Sequence, residues 1–215
     1  MCGSLEKDEL ESLTKIVRCE TFGAGEALFR EGDSSAWVFN VTDGAIRLSN
    51  MLGNGKRQVV GFLFPGDFLG FTGADEYKVT AEAVRGAKVC RFARSELTRL
   101  RHQLPQLEHR LFEMAESDLV AAQEHITILG QKSATEKMVA FLLMLSRKSA
   151  ARGGVDNPVH LPMTREDIAD FLGLAFETVS RCLTKLEDQK LITIESTRVI
   201  RLNDFAALED YCEEA

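Results

Sequence analysis

With 215 residues, 45% of them hydrophobic and 27% charged, the chain has the make-up of a soluble globular protein with room for one large or two modest cores. No apolar run approaches the roughly 18–20 residues of a membrane span, and the opening MCGSLEKDELESL has neither region of a signal peptide. A cytoplasmic protein with no membrane partner is expected, and the formal net charge of −7 argues at first sight against nucleic-acid binding, since binders usually carry a basic footprint.

Leu5, Leu10, Leu13, Ile16 and Val17 recur among charges and predict a short amphipathic helix over Leu5 to Val17. From about Thr21 to Ala93 the texture changes. Most of the sixteen glycines fall here, separating runs such as Trp37–Val41, Ala45–Leu48 and Gln58–Leu63. Asp43-Gly44 and Asn54-Gly55 read as tight turns between strands. Many short strands with regular turns predict a β-barrel or jelly roll. A cupin-like metalloenzyme shares this texture, but needs His and carboxylate ligands clustered inside the barrel. The four histidines, His102, His109, His125 and His160, all lie outside the β-rich stretch, and solvated surface positions are expected for them. No metal site, catalytic residue or enzymatic activity is therefore expected.

Ser95 to Leu104 reads as a short helix ended by Pro105, and a long helix follows from about Leu107 to Leu129. Along it Phe112, Ala115, Leu119, Ala122, Ile126 and Leu129 alternate at steps of three and four, a heptad seam with no charge at any a or d position. That stripe fits a parallel coiled coil between two copies of the chain, although the chain's own β-roll competes for part of the helix. Gly130 is expected to mark a hinge before a further amphipathic helix, Lys132 to Ala150, and Arg152–Pro158 reads as a loop.

Leu161 to Ile194 then predicts two short helices joined by a tight turn. Thr164 can cap the first, with Asp167 closing a capping box, and Gly173 suits the left-handed corner. The second runs from about Ala175 to Gln189. Val179, Leu183 and Leu186 form its apolar face, while Glu177, Ser180, Arg181 and Thr184 share the opposite side. A guanidinium, a carboxylate and hydroxyls in that arrangement can read base edges in a major groove: Arg pairs with guanine, Glu accepts from cytosine, and Ser or Thr serves either kind of group. An ordinary solvated face is the plainer alternative. Leu191–Glu195 and Val199–Leu202 predict a hairpin wing with Arg198 at its tip, within reach of a phosphate, and Asn203 can cap a last helix ending at Tyr211-Cys212. Between Ser133 and Asn203 ten Lys/Arg stand against nine Asp/Glu, a balance of +1, so affinity is expected to rest on base contacts in a dimer rather than on bulk charge.

Glu177-Thr178-Val179-Ser180-Arg181 after Leu172-Gly173-Leu174 closely resembles the recognition helix of the CRP/FNR family of bacterial transcription regulators, in particular its FNR/FixK-like branch with Glu-x-x-Ser-Arg. The likeness extends over nearly the whole chain. Phe22–Glu26, Glu31-Gly32-Asp33, Asp43-Gly44 and Pro65–Gly70 are similar to the cyclic-nucleotide-binding type of β-roll. The resemblance implies an α+β protein: a β-roll (jelly roll) with its N-terminal helix over 1–106, a dimerisation helix over 107–131, and a winged helix-turn-helix over 132–215. It implies a homodimeric activator that binds double-stranded DNA at a palindromic TTGAT-like site and works through RNA polymerase, for which the loop Gly73 to Tyr77 offers a surface. Base contacts fall to Glu177, Ser180 and Arg181, with Thr164, Phe176, Thr184 and Arg198 supporting. Two departures are Ala175, where the branch often has a capping Ser or Thr, and the bulky Phe176 beside it, which can meet a thymine methyl.

The resemblance also frames what the chain lacks. Members that bind cyclic AMP carry Gly-Glu and an Arg-Ser or Arg-Thr pair, where this chain reads Gly70-Phe71 and Lys78-Val79-Thr80-Ala81, so that ligand is not expected. Cys90 stands where oxygen-sensing members place one ligand of a [4Fe-4S] cluster, but only Cys2 lies near the N-terminus and Cys19 is seventeen residues on, so no cluster is expected either. Five widely spread cysteines, with Cys212, are unlike a disulfide framework. A thiol-based redox response through Cys90 or Cys182 is the remaining alternative within the family; both read more readily as core residues.

Overall fold

The computed structural model describes residues 13–213. Cys2 and most of the expected helix over Leu5–Val17 lie outside that range. Val17 proves to begin a strand rather than end a helix. The chain divides into two compact units, the first ending at Ala121 and the second beginning at Ala122.

The first unit is an antiparallel roll of β1 (Val17–Gly23), β2 (Ala27–Phe29), β3 (Trp37–Met51), β4 (Arg57–Leu63), β5 (Phe68–Leu69) and β6 (Thr80–Ala93). The order is β1-β6-β3-β4, with β2 paired to β6 and β5 to β3. Two runs expected as separate strands, Trp37–Val41 and Ala45–Leu48, belong to the single long β3. Asp43-Gly44 is a bulge within it, where the register against β6 shifts on either side. Gly44 has φ +82°, and a Cβ there would lie 2.0 Å from the Gly86 carbonyl oxygen, so the bend requires glycine. Asn54-Gly55 does close the β3–β4 hairpin, with Gly55 at φ +79°.

Alternation along β3 and β6 sends neighbouring side chains to two different cores. Phe39, Ile46 and Val89 fill the roll with Phe29, Leu69 and Tyr77. Val38 and Phe92 face the other way and pack with Leu13, Phe68 and Leu97, together with Leu107 and Leu111. Leu97 comes from α1 (Arg94–Arg101), and the last two from the start of α2 (Pro105–Gln131). Pro105 therefore opens the long helix at its first position, where its missing N–H costs nothing.

The second unit begins within α2 and adds α3 (Ala134–Ala151), β7 (Val159–His160), α4 (Arg165–Leu172), α5 (Phe176–Asp188), β8 (Ile192–Ser196), β9 (Val199–Leu202) and α6 (Phe205–Glu213). The break before α3 is not at Gly130, which stays helical. It falls at Ser133, whose hydroxyl accepts from the Glu136 amide while the Glu136 carboxylate accepts from the Ser133 amide. Phe141, Leu142, Met138, Ile168, Leu172, Leu183, Leu186 and Leu208 make a dry interior. The wing has three strands, ordered β7-β9-β8, not two. Its extra strand is held by Asn157, whose side chain donates to the Leu202 carbonyl and accepts from the Leu202 amide. Nor does Asn203 cap the last helix. Asp204 accepts from the Ala207 amide there, while Asn203 ties the wing by donating to the Lys190 carbonyl and the Thr193 hydroxyl.

Candidate nucleic-acid interface

Thr164 and Asp167 start α4 as a reciprocal capping box. Asp167 is buried and its Oδ2 accepts from both the Thr164 amide (3.0 Å) and the Thr164 hydroxyl (2.9 Å), while Thr164 Oγ1 accepts from the Asp167 amide. The hydroxyl proton of Thr164 is thus already committed, and a phosphate at this position would compete with Asp167 for it. α4 ends at Gly173, with φ 63° and ψ 38°, and the Gly173 and Leu174 amides both donate to the Ala169 carbonyl. This left-handed corner turns the chain into α5 within three residues.

α5 has one dry edge and one wet edge. Val179, Leu183 and Leu186 are buried, and Cys182, 6% exposed, lies with them and accepts from the Thr135 hydroxyl at 3.8 Å. Glu177, Arg181 and Thr184 are exposed and Ser180 is half-buried between them. Arg181 Nη2 donates to Thr178 Oγ1 at 3.2 Å, a neutral partner one turn away, so its cationic fork remains turned outward. Thr184 donates to the Ser180 carbonyl and offers its oxygen as an acceptor. Ala175 supplies no side-chain cap, which leaves the first-turn amides of α5 without side-chain shielding, and Phe176 stands 50% exposed beside them.

At the wing, Arg198 is exposed in the β8–β9 turn. Its amide donates to Ser196 Oγ and its carbonyl accepts from the Leu161 amide, which fixes the turn against the strand leading into α4. Glu187 on α5 accepts from the Ile194 amide at 2.9 Å and holds that helix to the wing. One residue that the sequence reading missed is Arg165, at the first position of α4. Its Nη1 is buried with no hydrogen-bond partner among the described residues, and burial lowers its pKa. A partly exposed guanidinium in the first turn of a helix suits a phosphate. On sequence Arg165 looks like any solvated residue of a first turn; only the packing around it makes it distinctive.

The heptad residues sit apart from the buried side of α2. Leu107, Leu111 and Ile128 are buried, whereas Phe112 (60%), Leu119 (60%) and Ile126 (69%) stay exposed, with Ala115 and Ala122 exposed between them. Leu129 departs from this pattern. It is half-buried beside the helix-turn-helix corner, where a Cβ on Gly173 would meet its Cδ2 at 3.6 Å. One helical turn earlier, His125 hydrogen-bonds through Nε2 to the Phe171 carbonyl (2.8 Å) and stacks on the Phe171 ring at 3.8 Å. Burial lowers the pKa of His125, and the bond to Phe171 partly opposes the shift. The expectation of a solvated surface histidine fails here: the ring is a wedge between α2 and α4.

Cys90 is half-buried rather than fully packed away, and Cys19 is exposed. Tyr77 stacks on Phe29 at 3.7 Å inside the roll, Lys78 is exposed and paired with Glu76, and Gly70 is pressed so close to the Trp37 carbonyl that a Cβ would lie 2.8 Å from it. Among the described residues there is no group of three metal-ligating side chains, and no helix is long and apolar enough to cross a membrane.

Two family models match the chain: a Crp-like helix-turn-helix domain over residues 136–211 and a cyclic nucleotide-binding domain over residues 19–103. Among characterised relatives, the nitrogen fixation regulation protein FixK of Bradyrhizobium diazoefficiens is 42% identical over 194 residues, covering 90% of this chain and 82% of its own. The transcriptional activatory protein AadR of Rhodopseudomonas palustris is 40% identical over 210 residues, covering 97% and 88%. The solved structure of FixK2 from Bradyrhizobium japonicum superposes with a TM-score of 0.85 at 31% identity, over 91% of this chain and 97% of that one.

Proposed function

The chain belongs to the CRP/FNR family of transcription regulators, and on that premise we propose that it binds a palindromic TTGAT-like site in double-stranded DNA as a homodimer and activates transcription through RNA polymerase. Glu177, Ser180 and Arg181 read base edges. Thr184 and Phe176 add contacts along the same groove, Phe176 against a thymine methyl. Arg165, Thr164 and Arg198 fix the register on the phosphates. The exposed stripe of α2 pairs two copies so that one α5 meets each half-site. In this reading residues 1–106 are the roll with its N-terminal helix, 107–131 the dimerisation helix and 132–215 the DNA-binding domain. The protein works in the cytoplasm, is not an enzyme, and presents the loop Gly73–Tyr77 to the polymerase. Arg94 supports that loop by donating from Nη1 to the Ala74 carbonyl and to Ser35 Oγ.

The observation that carries the reading is the split character of α5: Val179, Leu183 and Leu186 anchor it, and the outward edge holds a guanidinium and a carboxylate one turn apart. A gel shift with a TTGAT-type palindrome compares the intact protein with Arg181→Ala. Each lost guanine contact removes about 1–3 kcal/mol, so affinity should fall by roughly ten-fold or more. Equal binding by both proteins would overturn the base-contact assignment.

A further inference from the structure

We infer that Cys19 and Cys90 form a reversible dithiol–disulfide pair within the roll. The sequence gives no hint of it, because the two lie far apart in the chain. The register of β1 on β6 sets Cys19 directly opposite Cys90, in the same antiparallel ladder that pairs Val17 with Phe92 and Thr21 with Lys88.

Directly opposed residues of an antiparallel pair project from the same face of the sheet. Val17 and Phe92, two positions along, both pack into the cluster beneath α1 and α2, and Cys90 packs against that same cluster. Both thiols therefore lie on this face, Cys19 at its exposed rim and Cys90 half-buried inboard. Opposed Cα atoms in such ladders are about 4.5–5.5 Å apart, within the roughly 4.4–6.8 Å that a disulfide spans. Their Cβ atoms, at about 4.5–5.5 Å, sit slightly wider than the roughly 3.5–4.5 Å a relaxed bridge prefers. A bridge formed there pulls the two strands together and carries strain, and strained disulfides are the readily reduced ones. The pair is thus placed to close under oxidant and reopen under a dithiol reductant, whereas a structural bridge would stay shut. Cys182, on the buried face of α5, has no such partner position among the described residues.

The oxidant is a peroxide. The Cys19 thiolate attacks one peroxide oxygen, the O–O bond breaks, and hydroxide leaves and is protonated to water, giving a sulfenic acid. The Cys90 thiolate then attacks the Cys19 sulfur and the S–O bond breaks. The departing hydroxide takes a proton to become a second water. Two thiols lose two electrons and two protons, and one hydrogen peroxide is reduced to two waters.

The test uses the full-length protein, first fully reduced, then exposed to equimolar hydrogen peroxide, blocked with N-ethylmaleimide under denaturing conditions and digested for mass mapping. The expected product is a Cys19–Cys90 crosslinked peptide, two hydrogens lighter than the sum of its parts, that dithiothreitol releases. Cys19→Ser and Cys90→Ser should each abolish it, and the wild-type mapping stands even if either variant folds poorly. Recovery of both residues as maleimide adducts after peroxide treatment, or linkage of either one to Cys2, Cys182, Cys212 or a second molecule, would overturn the inference. Neither outcome depends on DNA binding, so the pair and the DNA reading fail independently.

Discussion

Leu119 offers the sharpest test of the pairing proposed for α2, because the described residues leave most of it uncovered. It retains 60% of its exposure, and burying a leucine fully is worth about 1.5–3 kcal/mol, so roughly 1–2 kcal/mol per copy is still available for burial against a partner. A two-fold seam uses the residue twice. Leu119→Asp should therefore remove about 2–4 kcal/mol of association free energy, a rise in dimer dissociation constant of roughly 30- to 700-fold, before any repulsion between the two carboxylates is added. The monomer should keep its fold, since the side chain supports no interior; Leu107, buried on the opposite side of the same helix, should behave in the reverse sense, with Leu107→Ala costing about 2–5 kcal/mol of folding stability. Sedimentation velocity across a concentration series reads the first effect, and chemical denaturation reads the second. A Leu119→Asp protein that dimerises as tightly as the wild type would refute the argument, as would a wild type that remains monomeric at high micromolar concentration.

Three further outcomes follow from the helix-turn-helix. Gly173→Ala meets no steric obstacle nearer than Leu129 Cδ2 at 3.6 Å, so its cost should be the left-handed backbone alone, about 1–2 kcal/mol in urea unfolding; an unchanged midpoint would contradict the corner. Lys190 is the described non-glycine residue with positive φ, 61°. It closes α5 in a Schellman pattern, with the Lys190 amide donating to Glu187 and the Leu191 amide to Leu186. Lys190→Gly should stabilise the protein by about 0.5–1 kcal/mol, after the extra freedom glycine gives the unfolded chain, and a loss of stability would show that the lysine side chain matters more than its backbone. His125 has its pKa lowered in the folded state, chiefly by burial, so its contribution is complete above its ordinary value of 6.5 and is lost as the pH falls through the lowered value, because the unfolded chain takes up the proton first. Unfolding measured from neutral to acid pH should show a steeper loss for the wild type than for His125→Gln, which can still donate to the Phe171 carbonyl without titrating. Parallel curves would exclude the wedge as a titrating group.

Much of this architecture was readable because local chemistry enforces it. Thr164, Asp167 and Gly173 carry the cap and the corner of α4, and the apolar steps Val179, Leu183 and Leu186 orient α5 whatever surrounds it. Asp43-Gly44 misled for an instructive reason: the dipeptide supplies the positive φ of a turn, but a bulge uses the same conformation, and the choice depends on Gly86 lying across from it. Asn203 had the side chain of a cap, yet Lys190 and Thr193, brought near by folding, claimed its donors first. The short strand Val159–His160 falls between the expected loop and the helix-turn-helix and is assigned no element from sequence, because two residues have no periodicity to detect.

By itself the order of residues determined the two textures, the two-faced helix α5 with Glu177, Ser180 and Arg181 on one edge, and the apolar repeat along α2, since each depends on spacings of a few residues that one element imposes. Tertiary structure alone decided that the Phe112, Leu119 and Ile126 side of that repeat stays uncovered, that Arg165 keeps an unused buried donor, that His125 lodges beneath Phe171, and that Cys19 faces Cys90. Those facts depend on the register of strands and the facing of helices, which distant parts of a chain settle only by packing against one another.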